Sequence, residues 1–388
     1  MNVILFDDPT LRTALLPFTF TRPLSAIRVG ILSIAEKWQK RLNTEVSFKT
    51  ENYLQKKYPI VSTLDNLMIN GAVCPDDMLV DSVKALPDGY YLVSGTLLIA
   101  ARNPEDEMTA QNTIEYVNKF TIIDHRWKIF RENAEQLKLD FKLITHGRKS
   151  FPITDKYTAV YNEENIFVEE GATILAAVLN AESGPIYLGK DSIVQEGVVI
   201  RGSFALCEKA QVNMGAKLRG DTTVGPYSKV GGEISNSVFF GNSNKSHDGY
   251  LGNSVIGEWC NLGAGTNASN LKNNYDPVKQ WSHGDKGFRS TGLQFCGLMM
   301  GDHCKTGINT MFNTGTVVDV CANIFGGGLP PTYIPSFAWG GAQGFTRYKI
   351  DKALETINKV MSRRNADFSE DDKDILLHLF HATVNVTV

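Results

Sequence analysis

The most informative stretch of the chain is Asn244 to Thr266, NKSHDGYLGNSVIGEWCNLGAGT. It holds one histidine, His247, among polar residues, followed by a glycine-dense run. Imidazole titrates near neutrality, so it is well matched to taking or giving a proton at neutral pH. A histidine in a polar loop is more often a loop residue with no role, so His247 needs a second feature before it counts as a reacting group. Near the start of the chain, Arg12 and Arg22 follow the first apolar strand, where each reads either as plain surface or as a phosphate contact through its forked donors. The cysteines Cys74, Cys207, Cys260, Cys296, Cys304 and Cys321 form no CxxC pair and no His/Cys metal spacing. Reduced thiols are the plain reading.

The elements that must position these residues fall into two halves. A chain of 388 residues suits two domains, and 43 % apolar with 21 % charged content is ordinary for a globular protein. The net charge of −3 offers no basic excess for nucleic acid, and Arg148-Lys149 and Arg363-Arg364 read as solvated surface. The start, MNVILFDDPT, lacks the cationic and apolar runs of a signal peptide, and no apolar stretch reaches the length of a membrane span. A cytoplasmic protein is the expectation.

Residues 1–150 read as a mixed α/β domain. Val3–Phe6, Asn66–Ile69, Tyr91–Ala100 and Phe141–Ile144 read as strands. Residues 24–41 carry Leu24, Ile27, Ile31, Ile34 and Trp38 at helical spacing, and His125–Leu137 reads as another helix.

From Leu188 the pattern changes. Leu188, Val194, Ile200, Leu206, Val212, Leu218, Val224 and Val230 recur at every sixth position, and all are branched aliphatics. Such a hexad repeat predicts a β-helix, in which each unit gives a short strand and a turn and its aliphatic residue points inward. Coils stack at about 4.8 Å per layer, and glycines suit the corners. A β-sandwich would show period-2 alternation instead. Val168 and Ile174 fit the register upstream, Asn180 breaks it, and Ile256–Leu262 and Met300–Ile324 resume it. Residues 235–249 and 267–291 are polar and read as loops leaving the frame, where function usually sits. Ile350, Leu354, Ile357 and Met361 share one face of a helical tail placed to cap the open end.

The Asn244–Thr266 stretch resembles the acetyltransferase half of the bifunctional UDP-N-acetylglucosamine pyrophosphorylase / glucosamine-1-phosphate N-acetyltransferase family. The matching residues are Lys245, His247, Tyr250, Leu251 and Gly252, then Ile256, Gly257, Asn261, Leu262, Gly263, Ala264, Gly265 and Thr266. The Lys-to-His spacing is one residue shorter than in that family. The resemblance implies a left-handed parallel β-helix and a homotrimer with active sites between neighbouring helices. It makes His247 the general base that takes a proton from a sugar amine as the nitrogen attacks acetyl-CoA. It also implies substrate contacts at Lys245, Tyr250 and Asn261, and an acetyl-CoA contact at Ala264. Glu233 is placed to orient the His247 ring, as carboxylates do elsewhere. The family's C-N-Y-D-G run falls on Asn274 and Tyr275, after four additional residues; an ungapped alignment selects Asn270 and Leu271 instead. Asn261 also reads as an ordinary corner residue.

The N-terminal half resembles a diverged branch of the sugar nucleotidyltransferases. Their first strand is followed by a glycine-rich loop that holds triphosphate. Here Phe6-Asp7-Asp8-Pro9-Thr10-Leu11-Arg12, Pro17-Phe18-Thr19 and Arg22-Pro23 follow instead, without the glycines. Arg12 and Arg22 are the nucleotide-binding residues that this alignment implies. Mg2+ is the implied cofactor if this domain is active, yet Leu67–Val73 (LMINGAV) carries no acid after its glycine. The expected organisation is a nucleotidyltransferase-like α/β domain at 1–150, a β-helix acyltransferase domain at 151–345 and a helical cap at 346–388. The expected activity is twofold: N-acetylation of an amino sugar 1-phosphate, and nucleotidyl transfer from a nucleoside triphosphate giving a UDP- or dTDP-sugar. A nucleotidyltransferase that uses the β-helix only to oligomerise, an acyltransferase with a dead N-terminal domain, and a non-enzymatic scaffold are the competing expectations.

Overall fold

A computed structural model describes residues 1–104 and 107–383. The chain forms two compact units. The first comprises Met1–Leu15, Thr21–Ile27 and Leu32–His125. Its sheet has the strand order Val46–Lys49, Asn2–Phe6, Asn66–Asn70, Leu97–Arg102, Tyr91–Ser94, Thr113–Glu115. The first three run parallel, and Leu97–Arg102 is antiparallel to Asn66–Asn70. Val3, Leu5, Leu67 and Ile69 are fully buried in it. The single strand expected over 91–100 is a hairpin, because Gly95 turns the chain at φ +58.

Helices α1 (Pro9–Ala14), α2 (Ile34–Leu42) and α3 (Asp77–Lys84) accompany this sheet. The helix expected from residue 24 begins only at Ile34. Leu24–Ala26 is a short 3-10 turn, Gly30 takes φ +81, and Ser33 forms a capping box with Glu36. The apolar spacing there was real in burial, since Leu24, Ile27, Ile34 and Trp38 are fully buried, but it did not reflect one continuous helix.

The second unit comprises Leu16–Phe20, Arg28–Ile31 and the chain from Arg126. Helices α4 (Arg126–Arg131) and α5 (Asn133–Thr145) open it. The strand expected at 141–144 is the last turn of α5. Its sequence, NAEQLKLDFKLIT, is dominated by good helix formers, which carry the helix past Phe141. Buried Asn133 and Asp140 of α5 accept the backbone N–H groups of Gly30 and Ile31 at 2.7 and 2.8 Å.

The rest of the unit is a parallel β-helix whose described strands form three faces. One face stacks strands from Ile166–Val168 to Tyr333–Ile334. Its inward column runs Val168, Leu188, Leu206, Val224, Phe239, Ile256, Met300, Val318, Ile334. A second face aligns Ile174, Val194, Val212, Val230 and Lys245. The third aligns Val160, Leu179, Ile200, Leu218, Ile234, Leu251, Ala268 and Phe312. The hexad thus steps from face to face, and none of its eight aliphatics from Leu188 to Val230 is more than 2 % exposed. Asn180 fell out of register because Leu179 holds the inward place.

Residues 235–249 are not a loop. Val238–Gly241 and Asn244–Lys245 are strands of the first and second faces. The repeat was hidden there because two steps are shortened, Val230 to Ile234 and Ile234 to Phe239, and because a lysine takes the next inward place. The second polar stretch begins as a third-face strand, Asn267–Ala268, and then does leave the frame, forming the antiparallel hairpin Lys279–Ser282 / Gly287–Ser290. At the far end Ala338–Gly341 folds back on Gly344–Arg347 and closes the second face. Helices α6 (Ile350–Ser362) and α7 (Glu370–Ala382) follow. α6 runs back along the flank, so that Arg364 beyond it reaches Tyr227 and Asn244, while Phe380 of α7 packs on Phe337 of the last coil. Residues 384–388 of the expected cap lie outside the described residues.

Candidate functional site

His247 stands on the corner Ser246–Gly249, where the chain passes from the second face to the third. This corner is unusually well tied. The Ser246 carbonyl accepts Asn213 Nδ2 at 2.8 Å, and the His247 carbonyl accepts Lys245 Nζ at 2.7 Å. The Asp248 carbonyl accepts Gly265 N at 3.1 Å and Lys245 Nζ at 3.3 Å, and the Gly249 carbonyl accepts Glu233 N at 3.2 Å. Gly231 lies against it so closely that a Cβ there would stand 2.3 Å from the Ser246 oxygen. The imidazole itself is exposed. A rigid corner thus presents a side chain able to exchange protons with whatever lies beside it.

Beside it is a cleft of about 560 Å³ between the second face and the end of α6. His247, Asn244, Asn261 and Trp259 line it, together with Tyr227 and the cations Lys209, Lys229, Arg363 and Arg364. Arg364 donates to the Tyr227 carbonyl at 2.8 Å and to Asn244 Oδ1 at 2.7 Å. Its partial burial and the neighbouring Arg363 charge both lower its pKa. Asn261 Oδ1 accepts from Asn244 Nδ2 at 3.4 Å. Four cations and no carboxylate line it among the described residues; Lys209 is paired with Glu208 at 3.5 Å, and the positive charge left over suits an anion.

The sequence predicts solvated surface for Arg363-Arg364. Arg364 instead faces the cleft, because α6 folds back along the coil. Lys209, Lys229, Trp259 and Asn244 carried no motif of their own. Their signal was position: Lys229 and Asn244 each immediately precede an inward residue on the second face, Val230 and Lys245.

The remaining expected residues are spread more widely. Glu233 and Tyr250 are registered neighbours on the third face. The carboxylate of Glu233 pairs with Arg219 at 3.4 Å, and among the described residues the imidazole of His247 bonds to no carboxylate. Tyr250 OH accepts Asn270 Nδ2 at 3.0 Å, and its pKa is raised chiefly by burial. Asn274 and Tyr275 lie exposed on the excursion, where Asn274 bonds locally to Asp276. It is therefore Asn270, the residue of the ungapped alignment, that the fold brings to Tyr250. Ala264 sits on the next corner, with its carbonyl accepting Asn309 N at 2.7 Å. Lys245 is only 1 % exposed and points into the coil.

In the first unit, Arg12 is also buried. It pairs with Asp7 Oδ2 at 2.7 Å and donates to the Arg22 carbonyl at 3.1 Å and to Tyr53 OH at 3.0 Å. Burial raises the Asp7 pKa against the pull of Arg12. Asp8 caps α1, accepting Thr10 N and Leu11 N at 2.9 and 3.0 Å. Aspartate oxygens thus hold the N–H groups and the guanidinium that the alignment offered to phosphate. Arg22 is 4 % exposed. Asn70 is fully buried and spent on the Leu98 carbonyl and Ala72 N. No group of three or more His, Cys, Asp or Glu able to hold a metal occurs among the described residues; Mg2+ at a nucleotidyl-transfer site takes only one or two carboxylates beside the substrate phosphates.

Residues 3–149 match the model of a sugar nucleotidyl transferase family. A bifunctional sugar-1-phosphate nucleotidylyltransferase/acetyltransferase of Sulfurisphaera tokodaii is 31 % identical over 148 residues, 38 % of this chain and 36 % of that protein. The bifunctional protein GlmU of Methanocaldococcus jannaschii is 37 % identical over 86 residues, 22 % of this chain and 20 % of that protein. The chain thus covers about a third or less of these relatives' length. Among solved structures, the polySia specific acetyltransferase NeuO is similar at a TM-score of 0.30 and 12 % identity, over 56 % of this chain and 98 % of that one. The resemblance to the bifunctional family, as a diverged branch, holds in sequence.

Proposed function

We propose that the β-helix unit transfers an acetyl group from acetyl-CoA to the amine of an amino sugar 1-phosphate, with His247 as the general base. One observation carries this reading: an exposed imidazole on a fully tied corner, opening beside a cleft of four cations. Both substrates are phosphorylated, so a cationic cleft suits either. An amine attacks only through its free lone pair. His247 removes a proton as the nitrogen bonds to the thioester carbon; the C–S bond then breaks, and the sulfur leaves as CoA thiol once protonated. Acetyl-CoA supplies the acyl group, and the chain supplies position and base. Mass-spectrometric detection of N-acetylated product from glucosamine 1-phosphate and acetyl-CoA tests this, and absence of product from any amino sugar phosphate sinks it.

The similarity of residues 3–149 favours an ancestral nucleotidyl transfer to a sugar 1-phosphate, giving a UDP- or dTDP-sugar. The occupancy of Arg12 and of the α1 N–H groups by Asp7 and Asp8 favours a first unit that no longer performs it. Pyrophosphate release from UTP or dTTP with Mg2+ and a panel of sugar 1-phosphates decides between them. A homotrimer is the assembly that this reading takes, because one coil exposes His247 on its side; light scattering in solution checks it. No helix among the described residues is long and apolar enough to cross a membrane; the location we propose for a reaction between acetyl-CoA and a sugar phosphate is the cytoplasm.

A further inference from the structure

We infer that Lys245 is a positioning residue, which holds the His247 corner from inside the coil and makes no contact with the sugar phosphate. The inference rests on the acyl-transfer reading for its consequence, though not for its geometry.

Lys245 lies six positions before Leu251, the step that elsewhere separates one inward residue from the next. Its strand pairs Val230 with Lys245, so the lysine continues the column Ile174, Val194, Val212, Val230. An aliphatic side chain would satisfy that column. A lysine there is 1 % exposed and takes its ammonium out of water, which is unfavourable unless its donors are satisfied. Burial lowers its pKa to about 8, against the opposing charge of Asp248.

What the ammonium gains is specific. Nζ donates to the carbonyls of His247 at 2.7 Å and Asp248 at 3.3 Å, two and three residues on. Among the described residues no other donor holds the His247 carbonyl, whereas Asn213, Gly265 and Glu233 hold those of Ser246, Asp248 and Gly249. Without the ammonium, the one peptide oxygen belonging to the reacting residue loses its tether. The His247 peptide can then rotate between neighbours that stay held, and the imidazole moves relative to the amine it must deprotonate. A displacement of that kind lowers the rate of the chemical step more than the binding of substrate. A lysine that gripped the sugar phosphate would do the reverse.

The test is Lys245→Met, which keeps length and fills the column with an apolar chain. A thermal melt first shows that the variant is folded, with a Tm at or above that of the wild type. Hydrogen exchange is then followed over residues 246–250 in both proteins, without substrate. Steady-state acetyl transfer to glucosamine 1-phosphate is measured alongside. The expected result is faster exchange confined to that corner, and a kcat reduced on the order of 10- to 100-fold with KM for the amino sugar phosphate within about twofold. A KM raised tenfold with kcat retained overturns the inference in favour of a substrate contact. Unchanged exchange overturns it in favour of a mere core residue. Should the wild type acetylate no amino sugar phosphate, the acyl-transfer reading fails by itself, and the exchange comparison still decides what Lys245 holds.

Discussion

Arg364 Nη2 lies 2.7 Å from Asn244 Oδ1, which joins the end of α6 to the strand leading into His247. The same guanidinium holds the Tyr227 carbonyl at 2.8 Å, one coil away. The end of that helix is thereby one wall of the cleft. Arg364→Ala is expected to raise KM for the anionic substrate about tenfold, the effect of losing one charge-assisted contact, with a smaller change in kcat. Raising ionic strength should weaken wild-type binding in the same direction. Initial-rate kinetics at two salt concentrations check both.

Asn270 and Asn274 separate two alignments of one motif. Asn270 donates to Tyr250 OH and also to Asn253 Oδ1 at 2.6 Å, whereas among the described residues the Asn274 side chain bonds only to its neighbour Asp276. Asn270→Ala frees the Tyr250 phenol and is expected to lower kcat/KM several-fold. Asn274→Ala should leave it unchanged. Parallel assays of the two variants settle which residue matters.

The buried charge of Lys245 makes a stability prediction with a definite sign. Its folded pKa is about 8, below the usual 10.5. Below pH 8 both folded and unfolded chains carry the proton, and the folded state bears the full burial penalty. Between pH 8 and about 10.5 the unfolded chain binds more protons, so stability rises with pH. Lys245→Met removes this dependence. Its stability advantage should be largest near pH 7 and shrink toward pH 10, as urea unfolding at both values will show.

Arg12→Ala distinguishes a structural arginine from a phosphate ligand. Arg12 and Asp7 are buried against each other, so the variant leaves Asp7 uncompensated. The first unit should lose about 3–5 kcal/mol, measured by denaturant unfolding. A loss within about 0.5 kcal/mol, as for surface substitutions, would favour the phosphate contact.

Leu206→Ala removes a fully buried residue from the first-face column. It should cost about 2–5 kcal/mol, with Leu188 and Val224 left facing a void. Calorimetry of the variant measures this directly.

The repeat was legible because an inward aliphatic at every sixth place is a demand of the coil itself. It disappeared at Ile234 and Phe239, where corners shorten, and at Lys245, where a charge replaces the aliphatic. Counting back six from Leu251 would have found the lysine's orientation. Phe141–Ile144 looked like a strand because four residues are too few to separate periods of 2 and 3.6. The corner around His247 was legible through its motif. The cleft beside it was not, since Lys209, Lys229 and Arg364 come together only when distant coils and α6 are folded. In the first unit, Asp7 and Asp8 were visible as departures, but their grip on Arg12 and on the α1 N–H groups required three dimensions.

The central claim is tested most directly by CoA release from acetyl-CoA with glucosamine 1-phosphate, measured for the wild type and His247→Asn side by side. The account predicts release matched by loss of free amine in the wild type, and a fall of about 10²- to 10⁴-fold in the variant, the range for a lost general base. Equal release by both proteins, or none by the wild type with any amino sugar phosphate, would contradict it.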